Sequence, residues 1–132
     1  MHFTIKTKKQ EEIVDLTEKV QEIVAKAKVK EGICFVYVPH ATAALTINEN
    51  YDPNVCSDFL EALDKLIPKG IWRHDKIDNN GAAHIKAAII GPSVIVPIKN
   101  SSLALGTWQG IMLCEFDGPR ERKVIVEVRE SK

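Results

Sequence analysis

Apolar residues recur along this chain with two periods, and the switches between them mark its elements. Residues 3–7, FTIKT, alternate in the manner of an edge strand. In the next segment, KQEEIVDLTEKVQEIVAKAKV, Ile13, Leu16, Val20, Ile23 and Val24 fall at helical spacing. Glu11, Asp15, Glu18, Lys19 and Glu22 lie opposite them, which predicts an amphipathic surface helix. Gly32 punctuates. ICFVYVPH then reads as a largely buried strand rich in β-branched and aromatic residues, and ATAALTINEN as a second strand joined to it through Pro39 and His40. Asp52-Pro53 predicts a helix start, with an acceptor side chain at the N-cap and proline at the first helical position. In that helix Val55, Phe59, Leu63 and Leu66 point inward, and Pro68-Lys69-Gly70 ends it.

Residues 70–81, GIWRHDKIDNNG, lack a period and read as a polar loop. A short alanine-rich helix, AAHIKAAII, stops at Gly91-Pro92. SVIVPI is a strand, and KNSSLALG connects it to LGTWQGIMLCEFDGPR. Alternation there places Trp108, Gly110, Met112, Cys114 and Phe116 on an apolar core face. Thr107, Gln109, Ile111, Leu113, Glu115 and Asp117 share a second face that is polar at both ends. RKVIVEVRE is the final strand, expected to pair with the preceding one across the Asp117–Arg120 turn. Strands interspersed with helices and closed by a hairpin predict an α+β fold in a single domain.

Composition narrows the partners more than the fold. Eighteen basic and eighteen acidic residues in 132 cancel, so the excess positive charge of a dedicated nucleic-acid or membrane-surface binder is missing. No apolar stretch approaches a membrane span. The N-terminal MHFTIKTKKQ has no apolar core of a signal peptide. Cys34, Cys56 and Cys114 form no CxxC pair and leave one thiol over in any disulfide scheme, so reduced thiols and a cytoplasmic location are expected.

Candidate chemistry gathers in four places. His40 ends a buried strand and precedes Thr42, His74 sits beside Asp75 in the polar loop, and His84 lies on the alanine-rich helix. Imidazole serves proton transfer near neutral pH and coordination of zinc-like metals, yet spacings of 34 and 10 residues match no local metal motif. Each histidine is open to a second account as a hydrogen-bonded structural residue. Asn48 and Glu49 stand where a strand feeds a helix N-terminus, a place where anions are received, although capping and solvation account for them equally well. Cys114, on the apolar face, reads as a buried inert thiol. Arg120 and Arg122 flank Glu121 beside a turn. Such charges are solvated rim groups unless a guanidinium fork faces a pocket.

Three blocks carry a resemblance. PHATAALTINENYDPNV, RHD followed by NNGAAHIKAAIIGPSVIVPI, and LGTWQGIMLCEFDGPRERKVIV are similar, in order and spacing, to the signature blocks of the YjbQ family, also called the secondary thiamine-phosphate synthase family. Ala82-Ala83 before His84 departs from the polar residues common there, and Cys114 stands where glycine is tolerated. The resemblance implies an α+β domain with a β-sandwich-like core of antiparallel or mixed strands and flanking helices, assembled as a homotrimer. It also implies a phosphorylated small-molecule ligand. The activity it implies is the joining of a pyrimidine-methyl diphosphate to a thiazole phosphate with loss of pyrophosphate, normally with Mg²⁺. On that reading His40, His74, His84 and Glu115 are the catalytic candidates. Thr42, Asn48, Thr107, Gln109 and Arg120 bind substrate, with Lys86 as a further cation for the diphosphate. Glu49 and Asp117 are the oxygen ligands for Mg²⁺. The competing readings are a hydrolase of a phosphorylated small molecule, with the three histidines on Zn²⁺ or another transition metal, and a non-enzymatic trimeric anion-binding protein. Two geometric expectations follow. The three histidines should converge on one pocket. Thr107, Gln109, Glu115 and Arg120 should line a common pocket while Trp108, Met112 and Phe116 anchor the strand in the core.

Overall fold

The computed structural model describes residues 1–132. In chain order its elements are β1 (His2–Lys6), β2 (Glu12–Asp15), α1 (Thr17–Ala27), β3 (Gly32–Tyr37), β4 (Ala43–Glu49) and α2 (Pro53–Leu66). There follow α3 (Asp75–Asp78), α4 (Gly81–Ile90), β5 (Ser93–Lys99), β6 (Ser102–Leu103), β7 (Gln109–Glu115) and β8 (Glu121–Glu130). Five strands form one sheet in the order β1-β8-β3-β5-β6, and three form the other in the order β2-β7-β4. Every pairing is antiparallel. The expected single-domain α+β sandwich with flanking helices is therefore the observed architecture.

Period-2 alternation builds the space between the sheets. Cys34, Val36, Val96, Ile98, Val124 and Val126 from the large sheet meet Ala43, Leu45, Ile111 and Leu113 from the small one, and Leu16, Val20 and Val24 from the α1 segment close the edge. The opposite face of the small sheet carries Ala44, Cys114 and Phe116. These pack under α2 and α4 against Leu63, Ile67, Ala83 and Ala87. β7 is thus covered on both faces, and from Gly110 to Glu115 every residue is buried. A strand in that position needs a continuous apolar run, which is what GIMLC supplies.

The sequence expectations need correction at five places. Residues 12–15 are a strand, not the first turn of the helix. β-Branched Ile13 and Val14 pair with Cys114 and Leu113 of β7, and the Asp15 carboxylate accepts the Thr17 N–H at 2.8 Å, so α1 begins only there. β7 and β8 are not a hairpin. β7 already has β2 and β4 as neighbours, and the 117–120 turn carries the chain across to the other sheet. Trp108 is no core anchor: it is 57% exposed and packs edge-on against Tyr51 with ring centroids 5.1 Å apart. Leu66 is exposed and Ile67 takes the inward place at the end of α2. The polar loop contains the helical turn α3. The start of α2 is as read, with Asp52 accepting the Asn54 N–H at 2.9 Å.

Candidate functional site

The residues singled out from sequence separate along β7. Register pairs Glu49 with Gln109 and Asn48 with Gly110 at one end, and Ala43 with Glu115 at the other. Six residues of extended chain put those ends about 20 Å apart. Thr107, Gln109, Asn48 and Glu49 therefore share no pocket with Glu115 and Arg120. Gln109 folds back to accept the Gly106 N–H at 2.8 Å, and Asn48 accepts the Glu49 N–H at 2.7 Å, so both serve their own turns. Glu49 and Asp117 are likewise too far apart to hold one magnesium ion.

At the Glu115 end the chemistry is internal. Glu115 is fully buried, and its carboxylate takes two bonds from Arg122, Nε at 2.9 Å and Nη2 at 2.5 Å. The Thr7 hydroxyl donates to Oε1 at 2.7 Å and the Asp117 N–H to Oε2 at 3.1 Å. Arg122 Nη2 also donates to the Thr42 hydroxyl at 2.8 Å. The Glu115 carboxylate thus has all its acceptor sites engaged within the protein, the Thr42 hydroxyl is turned onto Arg122, and the buried guanidinium is that of Arg122 rather than Arg120. Arg120 is half-exposed and turns onto Asp117, donating to its carbonyl at 2.7 Å and its carboxylate at 2.8 Å. Lys86 is fully buried between Glu11, at 2.9 Å, and Asp64, which leaves it no part in neutralising a diphosphate.

The histidines lie elsewhere on the surface, and two of the three meet, so the expected single pocket for all three is not what the fold builds. His74 and His84 meet edge to face with centroids 4.7 Å apart. The joint is set by Asp75, whose carboxylate accepts the Trp72 N–H at 3.0 Å and the Gly81 N–H at 2.8 Å, tying the loop to the first residue of α4. Those two bonds also hold the Asp75 carboxyl below its ordinary range. Gly81 is required at this joint, because a Cβ there would sit 2.6 Å from the Trp72 Cβ. Trp72, Arg73, His74, His84 and Ile85 line an open hollow of about 560 Å³. His84 also borders a second hollow of about 290 Å³, lined by His40, Ala43, Ala87, Ala88 and Pro92. His40 and His74 face different hollows, with His84 as their common wall. His40 Nε2 accepts the Lys123 N–H at 2.8 Å, which fixes it as the unprotonated nitrogen. Burial and the charge of Arg122 lower the His40 pKa below the usual histidine value. No group of three or more His, Cys, Asp or Glu side chains is placed to hold a metal ion.

The thiols are free, and burial pushes Cys34 up to about 11 and Cys114 up to about 12, as expected of inert core cysteines. No helix is long and apolar enough to cross a membrane. Sequence reasoning missed Arg73, adjacent to His74. It also missed Thr7 and the inward face of Arg122, which alternation with Val124 and Val126 does place toward the core.

A two-sheet α+β domain with a histidine- and arginine-lined groove beside the helices of its smaller sheet is the class these features define. The chain belongs to the YjbQ/UPF0047 family: the family described as UPF0047 protein YjbQ-like matches residues 1–131. A UPF0047 protein of Methanocaldococcus jannaschii is 47% identical over 130 residues, covering 98% of this chain and 94% of that one. A crystal structure of an uncharacterized YjbQ/UPF0047 protein from Clostridium acetobutylicum superposes with a TM-score of 0.94 at 45% identity, covering 98% and 99% of the two chains. A YbjQ-like protein of unknown function from Sulfolobus solfataricus superposes at 0.95 with 38% identity, covering 99% and 96%.

Proposed function

We propose that the groove beside α4 binds a phosphorylated small molecule and that the protein is a transferase of the thiamine-phosphate synthase type. The observation that carries this is the meeting of His74 and His84 beside Arg73 in a hollow of about 560 Å³, the size of a small-molecule site. Arg73 has no carboxylate within 4 Å, so its fork is free for phosphate oxygens. Trp72 and Ile85 supply apolar wall for a heteroaromatic ring. Departure of pyrophosphate from the pyrimidine-methyl carbon needs positive charge and a proton donor at the leaving oxygens, and Arg73 with an imidazole of the pair supplies both. A Mg²⁺ ion brought by the diphosphate would take oxygens mainly from phosphate and water, as this ion commonly does.

Calorimetric titration with pyrophosphate tests the site. Arg73→Ala and His84→Ala are expected to weaken binding at least tenfold, and Arg120→Ala to leave it unchanged. Equal binding by all three would overturn the assignment. Pyrophosphate release from a pyrimidine-methyl diphosphate with a thiazole phosphate then tests the reaction.

A homotrimer belongs to the same reading. The outer face of the large sheet bears Ile33, Tyr37 and Ile95, each more than a third exposed, with Phe35 between them. Such a strip is suited to cover by a second copy. Light scattering that gives a monomer at micromolar concentration would refute it.

A further inference from the structure

Three of the chain's five sulfur atoms lie between the small sheet and α2. Met112 and Cys114 share the helix-facing side of β7, and Cys56 reaches down from α2 to place its Sγ 3.9 Å from Met112 Sδ. We propose that Cys56 and Met112 form a binding site for a monovalent thiophilic cation, Cu⁺ in the cell.

The geometry suits such an ion. Metal–sulfur bonds of about 2.3 Å to two sulfurs at this separation close at about 116°, near the trigonal angle. The Cys56 thiol already contacts Asn50 Oδ1 at 3.2 Å, which puts one further donor at hand. Asn50 in turn donates to the Asp15 carboxylate at 2.8 Å; burial and that charge push the Cys56 thiol up, so its proton leaves only in exchange for the cation, whose charge the carboxylate then offsets. The sulfurs border a small cavity of about 20 Å³ walled by Ile13, Val55, Phe59 and Glu49. That space takes a bare ion or one water and nothing larger. Met112 is 3% exposed and Cys56 is partly buried, so the ion would be screened from water while an approach past α2 remains. Thiolate and thioether together select Cu⁺ over Mg²⁺ or Ca²⁺, and a low coordination number suffices for it. Binding is an exchange without redox change. The cation takes the Cys56 sulfur lone pair, the thiol proton passes to solvent, and the Met112 thioether adds unchanged.

Anaerobic titration of the purified protein with Ag⁺, and with Cu⁺ against a chromophoric chelator, reads the site directly. One equivalent is expected to bind. Cys56→Ser is expected to weaken affinity at least 100-fold and Met112→Leu at least tenfold, while Cys34→Ser leaves it unchanged. Leucine conserves the volume of methionine, and circular dichroism verifies that the variant folds. Parent protein that binds no tighter than Cys56→Ser would overturn the site. Met112→Leu binding as tightly as the parent would do so too, because the pair would then be one thiol beside an indifferent neighbour.

Discussion

Arg122→Met should cost about 3–5 kcal/mol of stability, because it strips the cation from a carboxylate that has no water to turn to. Glu115 is fully buried, and Arg122 supplies two of its four hydrogen bonds, the remainder coming from Thr7 and the Asp117 N–H. Methionine matches the length of the arginine stem, so the loss is electrostatic rather than a cavity. In a domain of this size the melting temperature should fall by about 10–20 °C. The informative comparison is Glu115→Leu with Arg122→Met. The double variant removes both charges; the Thr7 hydroxyl keeps the Arg120 carbonyl at 3.0 Å, and the Asp117 N–H and the Thr42 hydroxyl must find new partners, so it should recover at least about 1–2 kcal/mol over Arg122→Met alone. Urea denaturation followed by circular dichroism measures all three in a double-mutant cycle. An Arg122→Met variant within 1 kcal/mol of the parent, or a double variant as unstable as the sum of its singles, would refute this account of the pair.

His40 yields a pH prediction with a definite sign. Its folded pKa lies below the ordinary value of 6.5, so the neutral form is favoured in the native state. The stability it contributes is complete above that value and is lost as pH falls through the folded pKa, when protonation also breaks the bond from the Lys123 N–H. NMR titration should find His40 titrating below 6.5, and His40→Gln should flatten the decline in stability on acidification; a titration above 6.5 would reverse the sign. Trp108→Ala should cost about 1 kcal/mol, the scale of its edge contact with Tyr51, rather than the about 3–5 kcal/mol of a core tryptophan. A urea midpoint shifted by the larger amount would show that the ring is buried in the native assembly.

Legibility followed how local the determining forces were. Helix α2 could be read from Asp52-Pro53 and its apolar spacing because caps and faces are written within a few residues. β2 could not. Glu12–Asp15 satisfies a helical period, and only its pairing with β7, a hundred residues away, makes it extended. The same distance effect hid the role of Glu115. A carboxylate at the polar end of a strand looks like a ligand until Arg122 and Thr7 arrive from another sheet and another loop to saturate it. Alternation misplaces Trp108 because the chain before Gln109 is a turn at 106–109, where a period of two has no meaning. The histidines fared better: His74 and His84 do meet, and His84 touches the hollow of His40, but local spacing contains no trace of the Asp75 bonds that bring them there.

The order of the large sheet carries a consequence for synthesis of the chain. β8 lies between β1 and β3, and it pairs His2 with Ile125 and Gly32 with Glu130. Until residues 121–130 leave the ribosome, β1 has no neighbour at all and β3 offers one bare edge. The nascent protein must carry its N-terminal strand unpaired through about 120 residues of elongation, several seconds or more at ordinary rates. Closure over so long a loop makes this a high-contact-order fold, slow to complete by the standards of its size. Its period of greatest exposure to wrong pairing falls in translation, before the native state exists.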